Sequence, residues 1–322
     1  MPASLEEYTD RLDERRLLWP SVAEPTRPKA TPYLKPLSGI RAVTWSVYGT
    51  LLTISEGRLH LLHPELLCME VALDKTIHEF NMWNSMSRKP GAPWEYMYQQ
   101  YKRLVEDARL SASPRPGEAS EVDAAEIWQV LIERLGKKEF SWDEDYFGPI
   151  EDFSRKVAWF FHRALQGVRS GPNALMALDH VRSLGLAQGL IGDGQCFTLV
   201  QLGRALGQEA ETRSVPLGKL LTKGCVSLSY NHGVRQPAVS LFEPVLERLE
   251  EQGISPREVL HIAPRLKDEL GPAKKLGMRT ALYAGDAQSL EATAAEVNTP
   301  ELRPDRILTD LRQIRQIVKS DG

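Results

Sequence analysis

The second half of the sequence alternates between segments typical of helices and short apolar segments typical of strands. The helical segments include NALMALDHVRSLG and VSLFEPVLERLEEQG, and the strand segments include LAQGLIGDG, VLHIAP and RTALYAG. Parallel strands need a crossover connection of about a dozen residues, usually a helix, so this alternation predicts a parallel sheet. The earlier run IRAVTWSV has the length and composition of a strand, and we assign it to the same sheet. The sequence therefore predicts an α/β fold with a doubly wound, Rossmann-like parallel sheet.

The segment between the first strand and the alternating region carries only helical signals. In WEYMYQQYKRLVEDA, apolar residues recur at the spacing of one helix face. Further helices are predicted in AAEIWQVLIERLG and near residues 154–166. We therefore predict a helical cap over residues 56–168, inserted into an α/β core formed by residues 39–55 and 169–322.

Residues 1–38 precede the regular part of the chain. A short helix is predicted over residues 4–19, and prolines follow at positions 25, 28, 32 and 36. Proline fixes φ and removes a backbone donor, so this spacing predicts an extended arm. Three fates are open for the arm: packing on this domain, packing on a second subunit, or a disordered tail.

Composition and charge give no reason to expect several classes of partner. The chain has 322 residues and a formal net charge of −3, which gives no electrostatic reason to expect nucleic acid or an anionic membrane. The charged first residues lack the apolar core of a signal peptide, and no apolar run reaches the length of a membrane span, so we expect a cytoplasmic protein. Cys68, Cys196 and Cys225 are predicted to be reduced thiols. His60 and His63 are interpreted as surface or cap histidines, not as metal ligands.

Ligands of open α/β sheets bind outside the carboxyl ends of the strands, which directs attention to four turns. They are SVYGT (46–50), GDGQ (192–195), SYNHGVRQP (229–237) and APRLKDE (263–269). With the inserted cap and the closing RPDRILTDL segment, these turns resemble the four motifs of the haloacid dehalogenase-like (HAD-like) hydrolase superfamily, in the subgroup with a helical cap after the first motif. The resemblance extends from about residue 40 to about residue 318.

The first motif departs from the family pattern at its reactive positions. The resemblance implies Asp-x-Asp-Gly-Thr or Asp-x-Tyr-Gly-Thr, in which the first Asp forms a covalent intermediate and the second acid protonates the leaving group. Here Ser46 stands at the nucleophile position and Tyr48 at the acid/base position, whereas Gly49 and Thr50 match. A serine hydroxyl needs an adjacent base to become a nucleophile, and the motif supplies none.

The second and third motifs lack the groups that the resemblance implies for anion binding. Gly192 replaces a Ser or Thr whose hydroxyl would hold a phosphate or carboxylate, and Asp193 adds a negative charge that opposes an anion. Gln236 replaces a lysine, with Arg235 one residue away. The remaining candidates for ligand binding are Gly49, Thr50, Asp193, Gly194, Arg235 and Arg265.

The fourth motif lacks its main metal ligand. The resemblance implies Val-Gly-Asp and a later acid that together help to hold magnesium, the cofactor expected for the family. Here Pro264 replaces the aspartate and Glu269 survives as the later acid. Magnesium prefers several hard oxygen ligands in octahedral array, so we predict no metal and no cofactor.

The four replacements together predict a HAD-like homologue that has lost its catalytic residues and acts by binding an unknown small anionic ligand or a protein partner. One alternative is a metal-independent enzyme, or a dehalogenase-like or phosphatase-like hydrolase of a small anionic substrate. In the metal-independent version the site comprises Ser46, Tyr48, Asp193, His232, Arg235 and Arg265. A further alternative is a structural homodimer with a vestigial cleft.

Overall fold

A computed structural model of the protein describes residues 1–86, 91–112 and 114–319. Its strands are β1 Ala42–Trp45, β2 Leu52–Ile54, β3 Ala119–Ser120, β4 Val168–Ser170, β5 Ala187–Gly192, β6 Val226–Leu228, β7 Val234–Arg235, β8 Val259–Ala263, β9 Arg279–Tyr283 and β10 Arg306–Leu308. Its helices are α1 Leu5–Glu14, α2 Leu66–Glu79, α3 Pro93–Ser111, α4 Ala124–Gly136, α5 Glu144–Phe147, α6 Ile150–Leu165, α7 Ala174–Ser183, α8 Thr198–Glu209, α9 Ser229–His232, α10 Glu243–Glu250, α11 Gly271–Lys275, α12 Ala294–Asn298 and α13 Ile314–Ile317.

The central sheet has six parallel strands in the order β10-β9-β8-β1-β5-β6. β1 lies in the middle, where Trp45 pairs with Leu190 of β5 on one side and Ile262 of β8 on the other. From β1 the chain builds first towards β6 and then towards β10, so the switch in strand order lies at β1. The carboxyl end of β1 is therefore the expected place for a ligand.

Helices cover both faces of the sheet, which confirms the predicted doubly wound fold. Val43 and Trp45 of β1 pack in one cluster of buried side chains with helices α7, α8 and α13, whereas Ala42 packs in another with α10 and α11. Successive residues of a strand point to opposite faces, so both faces of β1 must be apolar. This is why the strand reads as a continuous apolar run instead of an alternating one.

The helices α2 to α6 form a separate layer between β2 and β4. These two strands pair antiparallel, with Ile54 opposite Val168, at the place where the chain leaves and re-enters the α/β part. The helices share a core rich in aromatic side chains, among them Tyr101, Trp128 and Phe161. None of the helices that the structure describes is long and apolar enough to span a bilayer.

The first 38 residues pack on the same chain. Tyr8 and Leu12 of α1 are each 1% exposed and lie in the aromatic core of α2 to α6. The arm then continues in extended conformation along the α/β part, where Tyr33 N donates to Ile307 O (2.9 Å) and Leu37 N to Ile317 O (2.8 Å). Of the three alternatives left open by the sequence, the structure shows the first: the arm packs on its own domain.

We expect Leu12→Ala to lower the free energy of unfolding by about 2–5 kcal/mol, because truncating a buried leucine leaves a cavity. Leu18→Ala is the matched control, since Leu18 is 86% exposed and its truncation should cost less than about 0.5 kcal/mol. Urea denaturation measures both values. Equal, small effects of the two substitutions would contradict the docking of α1.

Candidate functional site

The four turns meet around a small cavity at the carboxyl end of β1. The cavity has a volume of about 190 Å³. Five residues singled out in the sequence line it: Ser46, Tyr48, Asp193, Arg235 and Arg265. Arg58, Leu59 and His60 complete the lining and come from the segment that leads from β2 into the helical layer.

The other motif positions lie directly behind this lining. A β-carbon on Gly192 would lie 3.4 Å from Ser46 Oγ, and one on Gly49 would lie 3.1 Å from Pro264 Cγ. Gly49 has a φ of +88°, a conformation that suits glycine and forms the tight turn after β1. The main-chain N–H of Gln236 donates to Asp193 Oδ1 at 2.9 Å. The structure thus brings all four motif turns together.

Two predicted backbone donors already have partners within the protein. Gly49 N donates to Leu52 O (2.7 Å), and Gly194 N donates to Ser229 Oγ (3.0 Å). Unlike these groups, the Thr50 hydroxyl and the side-chain amide of Gln236 are buried, and neither has a hydrogen-bond partner among the described residues. The second and third motifs therefore offer a ligand the Gln236 amide more readily than the glycine N–H groups.

Ser46 is hydrogen-bonded to a buried carboxylate that the sequence reasoning did not place beside it. Its hydroxyl donates to Glu269 Oε1 at 2.6 Å. Glu269 also accepts from the main chain of Arg265 (3.1 Å) and from its Nη1 (3.2 Å). Burial raises the pKa of the Glu269 carboxyl, and the Arg265 guanidinium opposes that rise. A base candidate is therefore present next to Ser46, but it is paired with a cation.

A local departure from helical geometry carries Glu269 into the site. The sequence LKDELGPAKKLG predicts one helix, whereas the structure has a π-helical turn over Leu266–Leu270 followed by α11. Pro272 cannot donate to the carbonyl four residues before it, so an α-helix through this segment would lose a bond. The wider turn allows both Glu269 N and Leu270 N to donate to Arg265 O.

Arg265 extends the network away from the cavity. Its Nη2 donates to Gly57 O and its Nε to Glu291 Oε1 (3.2 Å). Glu291 in turn pairs with Arg58, which also reaches Asp268 at 3.1 Å. Two of the arginines that line the cavity are therefore neutralised by acidic partners. Arg235 is exposed and has no ion-pair partner among the residues that the structure describes.

The hydroxyl group of Tyr48 is hydrogen-bonded to α8 and is not placed to act as an acid or a base. The hydroxyl donates to Gln201 Oε1 at 2.6 Å and lies 3.0 Å from Thr198 Oγ1, both on α8. Burial raises the pKa of this phenol far above its ordinary value. Tyr48 therefore stays protonated at neutral pH, with its proton committed to Gln201.

The helical layer contributes a half-buried carboxyl group near Asp193. β3 pairs antiparallel with β7, and the next residue, Glu121, accepts from Ser229 Oγ at 2.8 Å. Burial, followed by the charge of Asp193, raises the pKa of Glu121 to about 6. Burial also raises the pKa of Asp193. Protons are thus held more tightly here than on exposed carboxyl groups.

The residues at the fourth motif do not fit magnesium. Pro264 offers no side-chain ligand, and the carboxylate of Glu269 is already bonded to Arg265 and Ser46. Among the described residues, no three His, Cys, Asp or Glu side chains come together in a way that could hold a metal ion. Magnesium needs several hard oxygen ligands, and these residues do not supply them.

The sequence predicts His60 and His63 at the surface or in the cap, and both lie within residues 56–168, the segment predicted as the cap. His60 lines the cavity, and burial lowers its pKa, whereas His63 is buried and lies 3.2 Å from Glu56. Neither is a simple surface histidine. His232 is exposed, contacts Ser227 Oγ at 3.0 Å and does not line the cavity. Of the six residues of the metal-independent site, the structure therefore brings all but His232 to the cavity.

Arg58 belongs to no motif, and nothing in the sequence predicts that it or His60 lines the cavity. They reach the cavity because Gly57, at a φ of +71°, lets the chain cross against Gln288, whose carbonyl oxygen would lie 2.1 Å from a β-carbon at this position. Only a glycine fits such an approach. In the sequence, Gly57 is the residue that could indicate this close approach of two chain segments.

Comparison with known proteins identifies the fold. No family model and no curated protein matches the sequence. Among solved structures, the 2-haloacid dehalogenase from Pseudomonas syringae pv. Tomato DC3000 is 16% identical, over 85% of this chain and 96% of that chain, at a TM-score of 0.51. A HAD phosphatase from Thermococcus onnurineus is 16% identical, over 87% of this chain and 99% of its own, at a TM-score of 0.46. With its six-stranded parallel sheet, the chain has the HAD-like hydrolase fold.

We expect Arg265→Met to destabilise the protein by about 3–5 kcal/mol, because it leaves Glu269 buried without its counter-charge. The double variant Arg265→Met/Glu269→Met should recover most of that loss, since replacing both partners removes the buried charge. Lys267→Met is the control: Lys267 pairs with Glu296 at the surface, so its loss should cost less than about 1 kcal/mol. Denaturant titrations of the wild type, Arg265→Met, Glu269→Met and the double variant give a double-mutant cycle. A double variant no more stable than Arg265→Met would contradict the pairing.

We expect the stability of the protein to depend on the protonation of Glu121. The pKa of Glu121 is about 6 in the folded state, above the ordinary value of 4.5. The stability that the protonated carboxyl contributes is therefore fully present below about pH 4.5 and is lost as the pH rises through 6. At pH 8, Glu121→Gln should therefore be more stable than the wild type by about 2 kcal/mol, and the difference should vanish near pH 4.5. The exposed Glu133, changed to Gln, is the control. Parallel pH profiles for wild type and Glu121→Gln would refute this role.

Proposed function

We propose that the protein is a non-catalytic member of the HAD-like fold class that binds a small anionic ligand in the cavity at the end of β1. The observation that carries the proposal is the network of Ser46, Glu269 and Arg265. This network occupies the reactive centre and leaves an open polar cavity beside it. The scaffold is retained while the groups for hydrolysis through an aspartyl ester are replaced.

Each position that would be reactive in hydrolysis of the family type holds a group that does not support that reaction. Ser46 is not a carboxylate and already donates its proton to Glu269. Tyr48 donates to Gln201 and so does not protonate a leaving group. Pro264 and the paired Glu269 do not make a magnesium site. The nucleophile, the acid and the metal would therefore have to be supplied in some other way.

The size and charge of the cavity favour a small anion. Ligand pockets usually measure about 300–1,000 Å³, and this cavity of about 190 Å³ holds roughly six water molecules at about 30 Å³ each. Arg58 and Arg265 are neutralised by acids, so Arg235 carries the charge available to a ligand. Guanidinium groups bind carboxylate or phosphate in two places. Asp193 opposes a highly charged ligand, which favours a monoanion.

We expect a small monoanionic carboxylate or inorganic phosphate to raise the melting temperature of the wild type, and Arg235→Gln to abolish that rise. Arg257→Gln is the matched control, because Arg257 is exposed and lies outside the cavity. With magnesium present, a panel of phosphate esters and 2-haloacids should show no turnover. Turnover that Ser46→Ala abolishes would overturn the non-catalytic assignment, and an equal ligand response in both arginine variants would overturn the site.

A second candidate function follows from the short Ser46–Glu269 contact. At 2.6 Å, Glu269 is close enough to take the Ser46 proton as Ser46 Oγ attacks the carbonyl carbon of an ester. Cleavage of the ester C–O bond would give an acyl-enzyme, and the proton returned from Glu269 would release the leaving group as an alcohol. Its ion pair with Arg265 lowers its basicity, and this is why we place the binding function first. A fluorophosphonate probe distinguishes the two: covalent labelling at Ser46 that Glu269→Gln abolishes supports the enzyme, and an unlabelled Ser46 excludes it.

A further inference from the structure

A second, smaller cavity lies where the N-terminal arm, the helical layer and the α/β part meet, on the far side of Tyr48. It measures about 40 Å³. Asp13 of α1, Trp159 and Arg163 of α6, and Gln201 and Arg204 of α8 are among its lining residues. We refer to it as the junction cavity. No residue of the junction cavity belongs to the four motif turns.

The junction cavity is lined by hydrogen-bond donors that lack acceptors. Trp159 Nε1, Arg163 Nη1 and Gln201 Nε2 are all buried, and none has an acceptor among the described residues. Trp159 is 3% exposed and Gln201 is 6% exposed, so bulk water does not serve these two groups. An indole nitrogen, a guanidinium nitrogen and an amide nitrogen can donate but cannot accept. The three groups therefore share a requirement for an acceptor.

Neighbouring contacts hold these donors in place. The Oε1 atom of Gln201 accepts from the Tyr48 hydroxyl at 2.6 Å, which fixes the amide and assigns Nε2 to the other side. The Arg163 guanidinium lies 5.4 Å from the centre of the Trp19 ring. Because Gln201 and Arg204 are three residues apart on α8, they lie on the same helix face. The donors are thus preorganised, and they come from both the helical layer and the α/β part.

Three arginines and three acids lie at or beside the junction cavity, and one of the arginines, Arg163, forms no direct ion pair among the described residues. Arg204 forms ion pairs with Asp10 and Asp13, and Arg213 with Asp10 and Glu14. Arg163 forms no ion pair within the part of the chain that the structure describes, and burial lowers its pKa. Asp13 is the acidic side chain that lines the cavity, and its pairing with Arg204 reduces its repulsion of an anion. An anionic acceptor would give the Arg163 guanidinium the direct charged partner that it lacks.

We propose that the junction cavity binds a halide ion, such as chloride. A single water molecule accepts two hydrogen bonds and must donate two of its own, whereas a halide accepts from all three donors and has nothing to donate. A volume of about 40 Å³ is close to the share of one water molecule, about 30 Å³, and suits a ligand of one atom. Size and the number of donors both favour a monatomic anion.

Halide binding at this place links three parts of the chain. Trp159 and Arg163 belong to the helical layer, Gln201 to the α/β part, and Asp13 of the arm closes the cavity. An ion that binds only when these parts are docked stabilises the folded protein by mass action. Stability should therefore depend on which anion is present, and not only on ionic strength.

The test compares thermal unfolding in chloride, bromide and gluconate at one constant ionic strength. At about ten times the Kd of the halide, the unfolding equilibrium constant should fall about tenfold and Tm should rise by about 3 °C relative to gluconate. Trp159→Phe keeps an aromatic side chain but removes the indole N–H donor. The difference in Tm between halide and gluconate should therefore disappear. Arg163→Gln should have the same effect.

Trp128→Phe is the matched control. Trp128 Nε1 is likewise buried and without an acceptor among the described residues, but Trp128 does not line the junction cavity. This variant, like Arg235→Gln, should retain the full halide effect, which separates the halide site from the ligand site at β1. Equal melting temperatures in halide and gluconate would overturn the proposal, because water would then serve the donors. A halide effect that survives in Trp159→Phe would overturn it as well, by locating the ion elsewhere.

Discussion

The buried ion pair between Arg265 and Glu269 holds the candidate site together. Burying either charge alone costs several kcal/mol, so each group requires the other in order to lie at the end of β1. Glu269 reaches back to Ser46, and Arg265 reaches Gly57 O and Glu291. The pair thereby connects the first motif turn to the segment that leads into the helical layer. The site that results is held by a buried, mutually neutralised pair of charges.

The helical layer is fastened to the α/β part around this site. Besides the pairing of β3 with β7, Glu118 accepts from Ser240 Oγ (2.6 Å), and the Gln195 side chain bonds the main chain of Val122 (2.9 Å) and Ala124 (2.8 Å). The arm spans both parts from outside. Separating the two parts would break several hydrogen bonds at once, and this favours a small ligand that enters without a wide opening of the cavity.

Much of the fold could be predicted from the sequence, because the alternation of helices and strands leaves few arrangements. The positions of Ser46, Tyr48, Asp193, Arg235 and Arg265 around one cavity also followed from the rule for strand ends. The direction in which each side chain points could not be predicted from that rule. The Tyr48 hydroxyl turns to α8, and Glu269 enters through a π-helical turn that sequence periodicity does not reveal. Arg58 and His60 depend on a chain crossing at Gly57, which is a long-range contact with no local pattern.

We propose that the Arg265–Glu269 pair leaves no metal site at the end of β1. A titration of the protein with Mn²⁺, followed by the electron paramagnetic resonance signal of the free ion, tests this directly. Millimolar protein should leave the free-ion signal undiminished. One Mn²⁺ bound per chain, and lost in Glu269→Gln, would contradict it.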